Sequence, residues 1–140
     1  MKPRPTPPPI DHQAFIRMLS KRLPSVFAGI HETDRGSLYL EMGGFADATC
    51  KHIEAGQFEA VAEHLRFIDE VLETADEQVQ SAVAVSYLEH LGLSGNDQNH
   101  VRARCMLSRR QLAIYHALEE SWRKTGQWLK QTGKRPPGRP

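Results

Sequence analysis

The sequence predicts an all-α protein: a compact bundle of five or six helices in antiparallel pairs, resembling a short piece of helical-repeat protein. Three observations predict this. Apolar residues recur at spacings of three and four from about residue 11 to 130, no segment alternates with the period of two that a strand requires, and capping residues stand ahead of several periodic runs. No fixed period of roughly 30 to 50 residues is present, so helix pairs are expected rather than true repeats.

A first helix is expected behind Asp11, a good N-cap, and runs to about Arg22 with Ala14, Phe15, Met18 and Leu19 on one apolar stripe; Pro24 ends it. The next follows "ETDRGS", where Asp34 and Gly36 suit a turn, Ser37 an N-cap and Gly56 a C-terminal stop. Its stripe of Leu38, Met42, Phe45, Thr49 and Ile53 runs through Gly43 and Gly44. A phosphate-cradling loop needs its glycines before the helix, where free amides face the anion, so this pair does not read as one. An interior glycine costs roughly 1 kcal/mol against alanine, which implies an offsetting benefit. Gly43, Ala46 and Cys50 share one side, along which a neighbouring helix is expected to approach closely; a local kink and a ligand contact are the alternatives.

The third helix spans about Gln57 to Thr74. Phe58, Val61, Leu65, Ile68 and Leu72 form its buried stripe, Glu59, Glu63 and Glu70 lie opposite, and Phe67 falls on that acidic side. Asp76 caps a fourth helix, "VQSAVAVSYLEHL", which is apolar on nearly every side and therefore expected at the centre; Gly92 and Gly95 end it. A shorter helix follows around residues 97 to 107. The last begins at Ser108, which forms a capping box with Gln111, carries Ile114, Tyr115, Leu118 and Trp122 inward, and stops near Gly126; Trp128 and Leu129 are placed to fold back on the core.

Composition shifts set the domain edges. Residues 1–10 read as a disordered proline-rich arm, 11–130 as a single helical domain and 131–140 as a flexible basic tail. No apolar run approaches the length of a membrane span and the N-terminus lacks the apolar stretch of a signal peptide, so no membrane association and a cytoplasmic location are expected. Cys50 and Cys105 are far apart and read as reduced thiols, and the seven histidines form no metal-ligand spacing. There is no nucleophile elbow, phosphate loop or paired-carboxylate signature. No catalytic residue, metal or cofactor is therefore expected, and the protein reads as a non-enzyme.

Charge is the most informative feature. Residues 30–90 hold thirteen acids against three bases, whereas residues 96–140 hold ten bases against three acids, so a net charge of +1 conceals a divided molecule. Acidic helices with an exposed aromatic among them suit docking on a basic protein, with charge speeding encounter and the aromatic acting as anchor. The partner-binding residues expected on this ground are Glu59, Glu63, Phe67, Glu70 and Glu73, with Asp34 and Glu41 beside them. The alternative places nucleic acid against Arg102, Arg104, Arg109 and Arg110, within a stretch that allows helix, turn, helix.

Leu38-Tyr39 followed by Gly43, then Phe67-Ile68-Asp69, then Val79-Gln80 with Tyr87-Leu88-Glu89 resemble a family of small helical bacterial domains of uncharacterised function, over about residues 34–91. The resemblance carries no catalytic motif, and it implies kinship with immunity proteins, encoded beside toxin genes, that bind and block a cognate toxin. The expected function is therefore an immunity protein whose acidic helices cover the basic active site of a toxin. A nucleic-acid-binding or regulatory module using the basic C-terminal third is the alternative.

Overall fold

A computed structural model describes residues 8–132, with side chains through Thr125. Seven α-helices follow one another: α1 (His12–Arg22), α2 (Pro24–Gly29), α3 (Leu38–Glu54), α4 (Phe58–Thr74), α5 (Glu77–Ala82), α6 (Gln98–Cys105) and α7 (Arg109–Thr132). The fold is all-α, as the sequence predicts, with no β-strand among the described residues. A lone parallel bridge joins Ile10 to Ala75, so Ile10, which the sequence places in the proline-rich arm, is bonded on both sides to the turn between α4 and α5. Residues 1–7 and the tail from residue 133 lie outside the described residues, as do the side chains of Trp128 and Leu129.

Local chemistry sets most helix starts. The carboxylates of Asp11, Asp76 and Asp97 accept bonds from the amides of Ala14, Val79 and His100. Ser108 and Gln111 close the expected capping box, the Ser108 hydroxyl accepting from the Gln111 amide at 3.1 Å and the Gln111 side chain accepting from the Ser108 amide at 3.0 Å. Gly56 (φ +70°) and Gly92 (φ +64°) end their helices in the left-handed conformation that glycine adopts without steric cost.

Three expectations need correction. Pro24 ends α1 but also opens α2, because a proline at the first helical position lacks only an amide that has no partner there. The fourth predicted helix is not uniform: α5 passes at Val83–Leu88 into a π-helical turn and then a 3-10 turn at Glu89–Leu91. Val85, inside this wider turn, is 44% exposed where an all-round buried helix was expected. Finally, α7 passes through Gly126, where a stop was expected, and is helical as far as Thr132, the last described residue.

α3 is the hub, touching α2, α4, α5, α6 and the π turn. Phe45 meets Phe67 and Thr49 meets His64, the order expected of antiparallel helices α3 and α4. Phe45 stands at the middle of an aromatic cluster, with ring centroids 4.8 Å from Tyr87, 5.2 Å from His64 and 5.8 Å from Phe67. Each such pair adds roughly 0.5 to 1.5 kcal/mol to the burial itself.

One polar knot sits inside this core. The Thr49 hydroxyl lies 2.9 Å from His64 Nδ1, 2.8 Å from the Tyr87 hydroxyl and 3.2 Å from the Phe45 carbonyl. All three contacts are satisfied when Nδ1 and the phenol donate to Thr49 and Thr49 donates to the carbonyl. Burial, aided by the neighbouring His52, holds His64 down at about 4, so the ring is neutral near pH 7. Burial likewise pushes the Tyr87 phenol up.

Candidate functional site

The acidic stripe of α4 forms as its spacing requires. Glu59, Glu63, Arg66, Glu70 and Glu73 follow one another at intervals of four, three, four and three, which lays them along one outward face. The fold partly neutralises it. Arg22 of α1 grips both oxygens of Glu70, at 2.6 and 3.2 Å, and holds that carboxyl below its ordinary range.

Phe67 is not the exposed anchor the sequence suggests. It is 1% exposed and packs between Phe15, at 6.1 Å, and Phe45, at 5.8 Å. α4 buries two adjacent stripes: Val61, Leu65, Ile68 and Leu72 form one, and His64, Phe67 and Val71 form the other, because α1 covers the side that a single-stripe helix would leave wet. Glu41 is also removed from any interface. It is 3% exposed, paired with His12 at the start of α1, and accepts the Gly36 amide at 3.3 Å.

The glycine pair is likewise corrected. A Cβ on Gly43 would meet nothing within 4 Å, so no helix packs there; a Cβ on Gly44 would lie 3.2 Å from Ile30 Cγ1. Gly44 therefore takes the close approach expected of Gly43. Gly43 instead lies at the surface of a groove.

That groove, about 330 Å³, runs between the first half of α3 and the π turn. Tyr39, Leu40 and Val85 line it, and these are the three exposed large apolar side chains among the described residues, at 44, 52 and 44%. Asp34 and Asp47 also line it, and a neighbouring hollow shares both with Gly44. His90 Nε2 bonds Asp47 Oδ1 at 2.6 Å, and the Tyr39 hydroxyl donates to Ser81 Oγ at 3.2 Å. Scattered single apolar residues need no explanation on a surface, but three around one concavity with an acidic rim make this groove the candidate site. Of the acids expected at a partner surface, Asp34 alone lines this groove; Glu59, Glu63, Glu70 and Glu73 remain on α4.

The arginines of the nucleic-acid alternative are mostly engaged within the fold. Arg102 lies 4.2 Å from the Phe58 ring centroid, Arg104 donates to the Leu93 carbonyl at 3.2 Å, and Arg110 donates to the Asp69 carbonyl at 3.1 Å. Arg109 is exposed. Burial, with Asp47 and Glu54 nearby, pushes the Cys50 thiol up to about 11, so its reactive thiolate form is disfavoured. Among the described residues no group of three or more histidines, cysteines or carboxylates could hold a metal ion, and no helix is long and apolar enough to cross a membrane.

A family described as a domain of unknown function, DUF7674, matches residues 16–123. The chain belongs to this DUF7674 family. The match begins inside α1, ends within α7 and contains the whole groove together with the acidic face of α4. No curated protein and no solved structure matches the chain.

Proposed function

We propose that this DUF7674 protein is a non-enzymatic, cytoplasmic inhibitor of the immunity type, which docks on the basic active-site surface of a cognate bacterial toxin and keeps out the toxin's anionic substrate. The observation that carries the reading is the groove, where Tyr39, Leu40 and Val85 are exposed together beside Asp34 and Asp47. Apolar side chains clustered in this way supply anchors that lose water on docking, each worth up to roughly 1.5 to 3 kcal/mol when fully buried. The surrounding acids, with the α4 stripe, steer a basic partner and accelerate encounter. The kinship implied by the Leu38-Tyr39, Phe67-Ile68-Asp69 and Tyr87-Leu88-Glu89 segments supports a toxin as that partner. The nucleic-acid reading draws less support, since three of its four arginines already serve Phe58, Leu93 and Asp69.

The test is growth rescue. Expression of the protein encoded by the adjacent gene should arrest growth, and co-expression of this chain should restore it while the two proteins co-purify. An adjacent product that is harmless, or toxicity unrelieved by this chain, overturns the immunity reading.

A further inference from the structure

We propose that the groove between α3 and the π turn receives an arginine side chain projecting from the partner protein, its guanidinium held between Asp34 and Asp47 and its methylenes lying along the half-buried Gly43 and the exposed Leu40. This rests on the protein-binding reading above and names the chemistry that its site recognises.

The acids supply the first reason. Asp34 is partly buried, yet its carboxylate accepts no hydrogen bond from any described residue. The adjacent Arg35 does not neutralise it, because its guanidinium lies over the Phe27 ring, 4.8 Å from the centroid. Asp47 uses Oδ1 for His90, and its Oδ2 has no partner among the described residues. Asp47 is largely exposed to water, and among the described residues no lysine or arginine lines the groove, Lys51 lining instead the adjoining hollow that shares both acids, so a cationic side chain is the complement that this acidic, partly apolar groove lacks.

Shape supplies the second reason. Gly43 has open space where a Cβ would stand, so the groove keeps room for a slender aliphatic stem. Tyr39, fixed at its hydroxyl by Ser81, and Leu40 give that stem apolar walls. A groove of about 330 Å³ is small and open, which suits one side chain delivered by a protein better than a free ligand that needs most of its surface covered. Arginine fits better than lysine, because a planar guanidinium bonds two carboxylates at once, packs on aromatic surface and sheds water more readily than an ammonium.

The probe is an acetylated, amidated tripeptide of leucine, arginine and leucine, titrated into the 15N-labelled full chain, with the citrulline tripeptide as a neutral control of equal shape. Saturable shifts are expected at the amides of Gly43, Gly44 and Asp47, with citrulline binding about tenfold more weakly because the charge-assisted bonds are lost. Asp34→Asn combined with Asp47→Asn should remove the arginine preference, and Gly43→Leu should abolish binding of both peptides without unfolding the chain, which unchanged dispersion of the remaining peaks will show. Equal shifts with citrulline, or no saturable shifts, overturn the inference. The immunity reading fails separately: a toxin that binds the double asparagine variant as tightly as wild type removes the arginine pocket alone, whereas an arginine pocket on a chain that rescues no growth leaves the pocket standing.

Discussion

Mild acid should loosen the core through His64. In the unfolded chain this histidine titrates near 6.5, whereas burial, with His52 beside it, lowers it to about 4 in the fold. Between those values the unfolded state binds a proton that the native state does not, so stability falls as pH falls. The linkage integral for a single group with these two constants gives a loss of about 2 kcal/mol between pH 7 and pH 5, approaching about 3 kcal/mol near pH 4. Urea unfolding of wild type and His64→Gln at both pH values isolates the effect. The variant loses the ring that contacts Thr49 and is weaker at pH 7, but it has no proton to gain at this position. Wild type should therefore lose about 2 kcal/mol more than the variant on going from pH 7 to pH 5. Equal losses, within about 0.5 kcal/mol, would refute the assignment of a neutral, proton-resisting histidine to the core.

Further substitutions separate surface from packing. Gly43→Ala should stabilise the protein by up to about 1 kcal/mol, since the new methyl meets open space and the helix gains propensity, whereas Gly44→Leu should destabilise it by about 1 to 3 kcal/mol against Ile30; thermal melts distinguish them. Phe67→Ala should cost about 3 to 5 kcal/mol in chemical denaturation, because it empties the space between Phe15 and Phe45. Ser108→Ala should cost about 1 kcal/mol by the same assay through the lost cap, and somewhat more because the hydroxyl also donates to Asp69 at 2.6 Å.

What was legible in the sequence was local. Asp11, Asp76 and the Ser108–Gln111 box act on amides three residues away, so their roles follow from spacing alone. Phe67 was illegible for the opposite reason: its burial depends on α1 crossing α4, and charge on neighbouring residues is a poor guide where a helix is covered on two sides. The π turn is invisible to a fixed 3.6-residue period, and with it the exposure of Val85. Half of the groove did leave a trace. In Leu38, Tyr39 and Leu40, three consecutive apolar residues open one helix, and only Leu38 continues into the stripe of Met42 and Phe45; Tyr39 and Leu40 had to face elsewhere. Their partner Val85 arrives from 45 positions along the chain, a distance only the fold closes.

Binding kinetics with the adjacent gene's product test the central claim most directly. Leu40→Asp is read beside the pair Glu63→Lys and Glu70→Lys, and beside loss of Arg102, Arg104, Arg109 and Arg110. If the groove is the anchor, Leu40→Asp should raise the dissociation rate by an amount equivalent to about 2 kcal/mol or more, roughly thirtyfold. The glutamate reversals should mainly slow association and flatten its salt dependence. Dissociation unchanged by Leu40→Asp, with complex formation abolished by the arginine substitutions, would contradict the account and move the interface to the basic end.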